Sequence, residues 1–428
     1  MRWKIALLGL LAAGACAPLA APVVPCNQDS ECAATQQCRD GVCVVSPGGG
    51  LDPGSADAGA PLDEDAGALP SGADAGTAPD AGEAVVDAGQ GDAGVEWHLS
   101  AWRRRVPLSV RWSGAPESDF PALVVLDPEQ VAALSASDGG ADLRVVSADG
   151  EPLPHELARF DENGAALWVR VPRLEDGARL FLYAKNAAAV EATDTAYVWS
   201  GGFRSVWHLE DDAHDAMGGT DGAPGLGVTF EAGAAGRAAR FDGASRIDLG
   251  QALPHAQGAE AVTFSLWLMR DGDVDAELLS LSAGEPSAPN HSRVALALEP
   301  GGNLKLFGRE EDGASARGVS AEGVIPSGRW LHVAGVFDVA AQSLQLFVDG
   351  AEMDTVGYGG PFTRDRFPDT PSPFGSIGSD DDGAGFYFVG ALDEVRVSNV
   401  ARSPGWIAAE HASLGGGLME VGAVEVRP

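Results

Sequence analysis

The sequence predicts an all-β chain, with two adjoining β-sandwich domains preceded by a disulfide microdomain and a disordered linker. Three observations predict it. Apolar residues alternate with polar or small ones in short runs, as in Val106, Leu108, Val110 and Trp112 or Val262, Phe264, Leu266 and Leu268, which is the period of a half-buried strand. Turn signals such as Asp149-Gly150, Asp242-Gly243 and Asp349-Gly350 separate those runs. All five cysteines lie at or before Cys43, ahead of a tract too polar to bury a core.

Residues 1–15 have the layout of an export signal: Arg2 and Lys4, an apolar stretch from Ile5 to Ala12, then Ala13-Gly14-Ala15 before Cys16. The apolar run is too short to span a bilayer. This layout matches a bacterial lipoprotein signal, so Cys16 is the expected lipidation site and the first residue of the mature chain. Ala17 stands where an inner-membrane retention signal would place aspartate, which favours an exported protein anchored to the outer membrane or cell surface.

In residues 16–45, Cys26, Cys32, Cys38 and Cys43 are separated by gaps of five, five and four residues with no histidine nearby. Zinc sites favour two-residue gaps, so two disulfides are the better expectation. So short a segment needs covalent staples in place of a core. Of the three connectivities, Cys26 with Cys38 and Cys32 with Cys43 is the one we favour. The turn Cys38-Arg-Asp-Gly41-Val-Cys43 resembles small cysteine-rich repeats of myxobacterial-type surface proteins.

Residues 46–95 carry the tripeptide Asp-Ala-Gly six times and ten acidic side chains, without one aromatic, lysine or arginine. Such a segment cannot offset the entropy of ordering its backbone and reads as a self-repelling tether. As a random coil it would span roughly 40 Å. The whole chain has a formal charge of -34 and three lysines, which argues against nucleic-acid binding.

The first sandwich is expected over 97–200. Strands are predicted at Arg105–Trp112, Ala122–Leu126, Leu143–Val146, Leu167–Val171 and Arg179–Ala184. The strings Trp102-Arg-Arg-Arg-Val-Pro107, Ala141-Asp-Leu-Arg-Val145, Leu167-Trp-Val-Arg-Val-Pro172 and Leu180-Phe-Leu-Tyr-Ala184 resemble a bacterial and archaeal domain family of unknown function found beside laminin-G-like modules. That resemblance implies a β-sandwich and a neighbour, and no chemistry.

The second domain is expected over 203–414, followed by a tail at 415–428. Its strands read Ser205-Val-Trp-His-Leu209, Ala238–Asp242, Val262–Met269, Trp330–Phe337, Leu344–Asp349 and Gly390–Val397. Ser403 and Pro404 then stand where the cap and first residue of a short helix belong. The series resembles the laminin-G-like, concanavalin-A-like jelly roll of bacterial surface proteins.

That fold divides between ligand-binding modules and glycoside hydrolases, so catalytic residues must be found one by one. No Glu-x-Asp-x-(x)-Glu strand is present; Glu352-Met-Asp354 lacks the second glutamate. No Gly-x-Ser-x-Gly occurs, His155-Glu156 lacks the zinc-protease partner histidine, and no lysine precedes serine or threonine. No catalytic residue is assigned, and a non-enzymatic role is expected.

Asp393-Glu-Val-Arg-Val397 matches the late strand that, in jelly-roll glycosidases and related modules, gives one carboxylate to a structural calcium. The resemblance therefore makes Asp393 a metal candidate and calcium the candidate cofactor, against the alternative of a strand aspartate bonded to a turn. His208 and His214, near Asp211, Asp212 and Asp215, read as packed or hydrogen-bonded residues in preference to a transition-metal site. Ligand-binding candidates are Asp380, Asp381 and Asp382 in a loop between strands, and Tyr358, Phe362 and Phe367 in the Gly/Pro-rich stretch 357–375. Packing onto the sandwich is the competing reading for those aromatics. Taken together, the readings describe a lipid-anchored envelope binding or adhesion protein with carbohydrate, or an envelope protein, as partner. A polysaccharide hydrolase with loop-borne carboxylates and a structural part of a surface assembly are the alternatives.

Overall fold

The computed structural model describes residues 36–39, 42–45 and 96–427, except 251–255, 284–291, 310–315 and 368–373. The chain divides into two compact units, Met1–Ala93 and Gly94–Pro428. In the first, β1 (Gln36–Arg39) and β2 (Val42–Val45) form an antiparallel hairpin whose register sets the backbone of Cys38 opposite that of Cys43. Cys16, Cys26 and Cys32, and with them the lipidation site and the expected disulfide pairing, lie outside the described residues.

The second unit starts with a sandwich of β3 (Arg104–Val110), β4 (Glu117–Leu126), α1 (Pro128–Leu134), β5 (Arg144–Ser147), β6 (Pro152–Leu153), β7 (His155–Asp161), β8 (Gly164–Leu174), β9 (Arg179–Ala184) and α2 (Thr195–Val198). β4, β8 and β7 form a three-stranded sheet facing a six-stranded one that contains β3, β9, β5 and β6. The alternation legible in the sequence sends Val106, Leu108 and Val110 into the core with Trp168 and Val169.

The jelly roll comprises β10 (Phe203–Trp207), β11 (Ala223–Pro224), β12 (Thr229–Ala232), β13 (Arg237–Asp242), β14 (Ile247–Asp248), β15 (Ala261–Arg270), β16 (Ala276–Ala283), β17 (Ser292–Glu299), β18 (Asn303–Arg309) and β19 (Arg317–Ala321). It continues with β20 (Leu331–Asp338), β21 (Ser343–Val348), β22 (Ala351–Glu352), β23 (Val356–Tyr358), β24 (Gly375–Ile377) and β25 (Val389–Ser398), and is followed by α3 (Pro404–Leu414), β26 (Met419–Val421) and β27 (Glu425–Val426). Two eight-stranded sheets enclose its core. One, which we term the junction sheet, runs β12-β13-β25-β15-β20-β21-β22, with β10 also on β25. The other, the open sheet, runs β11-β14-β24-β16-β17-β18-β19-β23.

Helix α3 starts as the sequence predicts, with the Ser403 hydroxyl accepting from the Trp406 N–H and Pro404 in the first turn. It covers the outer face of the junction sheet, where Ile407 packs on Ala334, Val336 and Phe347. Trp267 is buried on the same face and stacks on His411, while Trp330 is half-buried. No helix of the described residues is long and apolar enough to cross a membrane.

The tail expected from the sequence at 415–428 carries two strands. β26 and β27 both pair antiparallel with β3, returning the chain to the first sandwich after the whole jelly roll. The physical reason is Leu418, fully buried in the core of the first sandwich, to which Trp406 and Ala409 also belong. β10 joins the two cores as well, since Phe203 and Val206 enter the first and Trp207 the second.

The junction between the sandwiches is ionic at its centre. His208 Nδ1 lies 2.9 Å from Glu394 Oε1 and its Nε2 lies 3.4 Å from Glu156 Oε2. Arg396 donates to Glu394 Oε2 at 2.8 Å, reaches Glu410 at 3.6 Å, and stacks over Trp168 and Trp199 at 4.5 and 4.9 Å from their ring centres. Glu156 also accepts from the Trp199 indole. Every member is buried or nearly so, which makes the pairing obligatory.

Burial alone would lower the His208 pKa, but Glu394 and Glu156 outweigh it and push it up to about 10. His332, buried beside His411 and Arg396, is pushed down to about 3. Both have an ordinary value of 6.5. The stability from His208 is therefore complete below that value and is lost as pH rises through about 10. His332 has the opposite sign, with its contribution complete above 6.5 and lost as pH falls through about 3. Melting temperature is expected to peak at neutral pH and fall on both sides, with His208→Gln flattening the alkaline limb. An unchanged alkaline limb in that variant would contradict the ion-pair assignment.

Candidate functional site

The open sheet carries the most promising surface. Along β17 and β18, Val294, Leu296, Leu298, Leu304 and Leu306 enter the core, so Arg293, Ala295, Ala297, Lys305 and Phe307 face outward. Register aligns these into a row across the sheet: Ser376 with Ser280, Ser280 with Ala295, Ala295 with Phe307, Phe307 with Gly318, and Gly318 with Tyr358. Small residues thus alternate with rings on one face. Gly318 is required there, because a Cβ would come 2.6 Å from the Tyr358 hydroxyl and 2.8 Å from the Phe307 Cβ.

Cations flank the two rings. Lys305 Nζ lies 5.1 Å from the Phe307 ring centre and 5.4 Å from that of Tyr358, and is paired with Glu299 at 2.7 Å. The Arg293 guanidinium lies 5.5 Å from the Phe307 ring centre. Burial raises the Tyr358 pKa, so the phenol is neutral and offers both a donor and an acceptor.

A loop closes one end of this face. The Glu277 N–H donates to the Phe386 carbonyl, and the Ser376 and Ser379 hydroxyls bond at 2.7 Å. Arg293 Nη2 holds Glu277 at 2.6 Å and Asp381 at 3.6 Å. Burial pushes the Glu277 carboxyl up in spite of Arg293.

The residues singled out from the sequence separate into groups. Tyr358, 42% exposed, stands on the aromatic row, and Asp381 reaches the same face from the loop. Asp380 is buried and accepts from the Gly385 N–H, whereas Asp382 lines a cleft of about 350 Å³ with Arg246, Asp248 and Phe374. Phe362 and Phe367 are corrected to packing residues. They are 8% and 2% exposed, and both rings pack on Phe337, at 5.1 and 5.5 Å between centres. Glu277, Arg293, Lys305 and Phe307 were not found from the sequence.

Asp393 is fully buried on the outer face of the junction sheet. Its Oδ2 accepts from the Ala235 N–H at 2.9 Å, whereas Oδ1 is buried with no hydrogen-bond partner. Burial, with Glu394 and Glu210 nearby, raises its pKa well above the ordinary carboxylate value. A Cβ on Gly233 would come 2.5 Å from Asp393 Oδ2 and 2.7 Å from the Arg237 carbonyl, so glycine keeps space open beside these oxygens. One carboxylate with an orphaned oxygen, near the Arg237 carbonyl, offers oxygen donors of the kind calcium takes. Among the described residues there is no group of three or more His, Cys, Asp or Glu side chains able to hold a metal. Asp215 and His214 are instead local: Asp215 accepts from the N–H groups of Val206, Met217, Gly219 and Thr220, and His214 pairs with Asp221.

Residues 241–408 match the Laminin_G_3 family model, described as the concanavalin A-like lectin/glucanases superfamily. The jelly roll is therefore a laminin-G-like, concanavalin-A-like domain. Among solved structures, the chain is similar to domain 4 of AbnA, a GH43 extracellular arabinanase from Geobacillus stearothermophilus in complex with arabinotriose, at 19% identity over 48% of this chain and 97% of that one, with a TM-score of 0.37. It is also similar to the CBM40 of Ruminococcus gnavus IT-sialidase bound to α2,3 sialyllactose, at 15% identity over 39% and 96% of the two chains, with a TM-score of 0.31. A mutant Trypanosoma rangeli sialidase displaying trans-sialidase activity matches at 13% identity over 64% and 44%, with a TM-score of 0.38. No curated protein matches the chain.

Proposed function

We propose that the chain is a lipid-anchored cell-envelope protein whose jelly roll binds carbohydrate on the outer face of its open sheet. The observation that carries this reading is the row Phe307, Gly318, Tyr358 with Lys305 and Arg293 alongside, since sugar rings stack on exposed aromatic faces and their hydroxyls bond to flanking polar groups. Cys16 would carry the lipid, and residues 46–95 would hold the domains clear of the membrane. Cys16→Ala should abolish labelling by a fatty-acid probe; persistent labelling would remove Cys16 as acceptor.

The test of binding is a glycan array and polysaccharide pull-down of the full chain, with calcium and with chelator, while the soluble fraction is assayed for released sugar. Binding without release is expected. Tyr358→Ala should weaken it about tenfold, the loss of roughly 1.4 kcal/mol of stacking. Unchanged affinity in both Tyr358→Ala and Phe307→Ala would exclude this face. Calcium would be held by Asp393 with neighbouring carbonyls and serve to neutralise buried charge there. Chelator should then lower the melting temperature of the native chain and leave Asp393→Asn unaffected.

The second reading, a polysaccharide hydrolase, is favoured by one feature: Glu277 and Asp381 share a guanidinium nitrogen, and Glu277 has a raised pKa. Released sugar that disappears in Glu277→Gln would establish it. Absence of both binding and release would shift the proposal to a protein partner or a structural role.

A further inference from the structure

The three-stranded sheet of the first sandwich runs β4-β8-β7, so it has two edges, and they are treated differently. On the β4 edge the Leu123 N–H donates to the Ser413 hydroxyl of α3 at 2.8 Å, and α3 and β26 pack beside that strand. The β7 edge is occupied only at its start, where the His155 carbonyl accepts from the Asp194 N–H at 2.8 Å. Leu157, two residues on, faces its main-chain groups the same way. Among the described residues, no hydrogen bond reaches the edge there.

A groove of about 330 Å³ follows this edge. It is lined by the strand from Glu156 to Phe160 together with Gly139, Glu191, Thr193 and Thr195. A strand with one unpaired edge lining a groove is the arrangement that accepts another strand through main-chain hydrogen bonds.

We propose that this groove docks an extended, basic peptide segment, which adds to β7 as a fourth strand. Charge selects the occupant: Asp161 and Glu162 are exposed at one end, Glu191 and Asp194 at the other, with Arg159 as the cation between them. A second copy would bring the same acidic surface, on a chain of net charge -34, whereas lysine or arginine side chains complement it. The bulge between Leu157 and Arg159 breaks the ladder, which limits the occupant to a short segment on either side.

The full chain would be titrated into a fluorescein-labelled (Lys-Val)4 peptide and followed by anisotropy, beside (Glu-Val)4 and a (Lys-Val)4 with alternate amides N-methylated. Saturable binding of (Lys-Val)4 is expected, with at least a tenfold loss on methylation and no binding of (Glu-Val)4. Glu162→Lys combined with Glu191→Lys should weaken binding about tenfold, and Tyr358→Ala should not change it, which separates this site from the glycan face. Equal affinity for the methylated peptide would show that charge alone attracts it and would overturn strand addition. No binding of (Lys-Val)4 at millimolar concentration would overturn the proposal outright.

Discussion

Replacing Arg396 with methionine is expected to destabilise the Gly94–Pro428 unit by about 3–5 kcal/mol, the cost of removing one partner from a buried ion pair. The guanidinium is 2% exposed and serves both Glu394 and Glu410, which are 3% and 1% exposed. Methionine fills a similar volume but leaves those carboxylates to His208 and to the Trp406 indole, which donates to Glu410 at 3.2 Å. Arg396→Lys should fall between, since a point charge cannot fork to two carboxylates while stacking on Trp168 and Trp199. Denaturant midpoints of the three proteins decide the matter. A loss below about 1 kcal/mol for methionine would mean that the network is solvated in solution.

The second large effect is expected at Leu418. Leu418→Ala should cost about 2–5 kcal/mol, because the side chain is fully buried and its loss would leave a cavity in the first core. Deleting 415–428 should be worse, since it also uncovers the edge of β3 along Leu108–Val110 and Arg104–Arg105. It would remove the Glu425 carboxylate, at 2.6 Å from buried Arg105. The truncated chain is expected in the insoluble fraction, an open edge being a template for association. A soluble truncation with the melting temperature of the intact chain would show that the returning strands are dispensable.

The fold was legible where one strand face is apolar and the other is not. β3, β15 and β25 show that pattern, and the cap and proline of α3 were equally readable. β17 was not, because Val294-Ala-Leu-Ala-Leu298 is apolar on both faces and erases the period. β7 was missed because its bulge shifts the alternation midway. Of the site, Tyr358 and Asp381 were found from loop composition, but composition cannot say whether a ring turns inward, as Phe362 and Phe367 do. A usable signal existed for Phe307: in Asn303-Leu-Lys-Leu-Phe-Gly-Arg309 it occupies the polar register of the strand, where an aromatic ring is out of place unless it has a surface use. Arg396 carried no such mark: Glu394 lies two residues back on the same strand, but its other partners, Glu410, Trp168 and Trp199, lie on other elements.

Because β26 and β27 complete a sheet whose other members end at Ala184, the first sandwich is discontinuous, with the jelly roll threaded into it. On a ribosome, residues 104–184 emerge long before 419–426, so the N-terminal half must wait, with β3 unpaired on one side, while the jelly roll is made. The order of synthesis and the order of completion are thus reversed. A chain broken off anywhere within the jelly roll leaves both halves of the unit unfinished, and its exposed β3 edge marks it for a chaperone or protease.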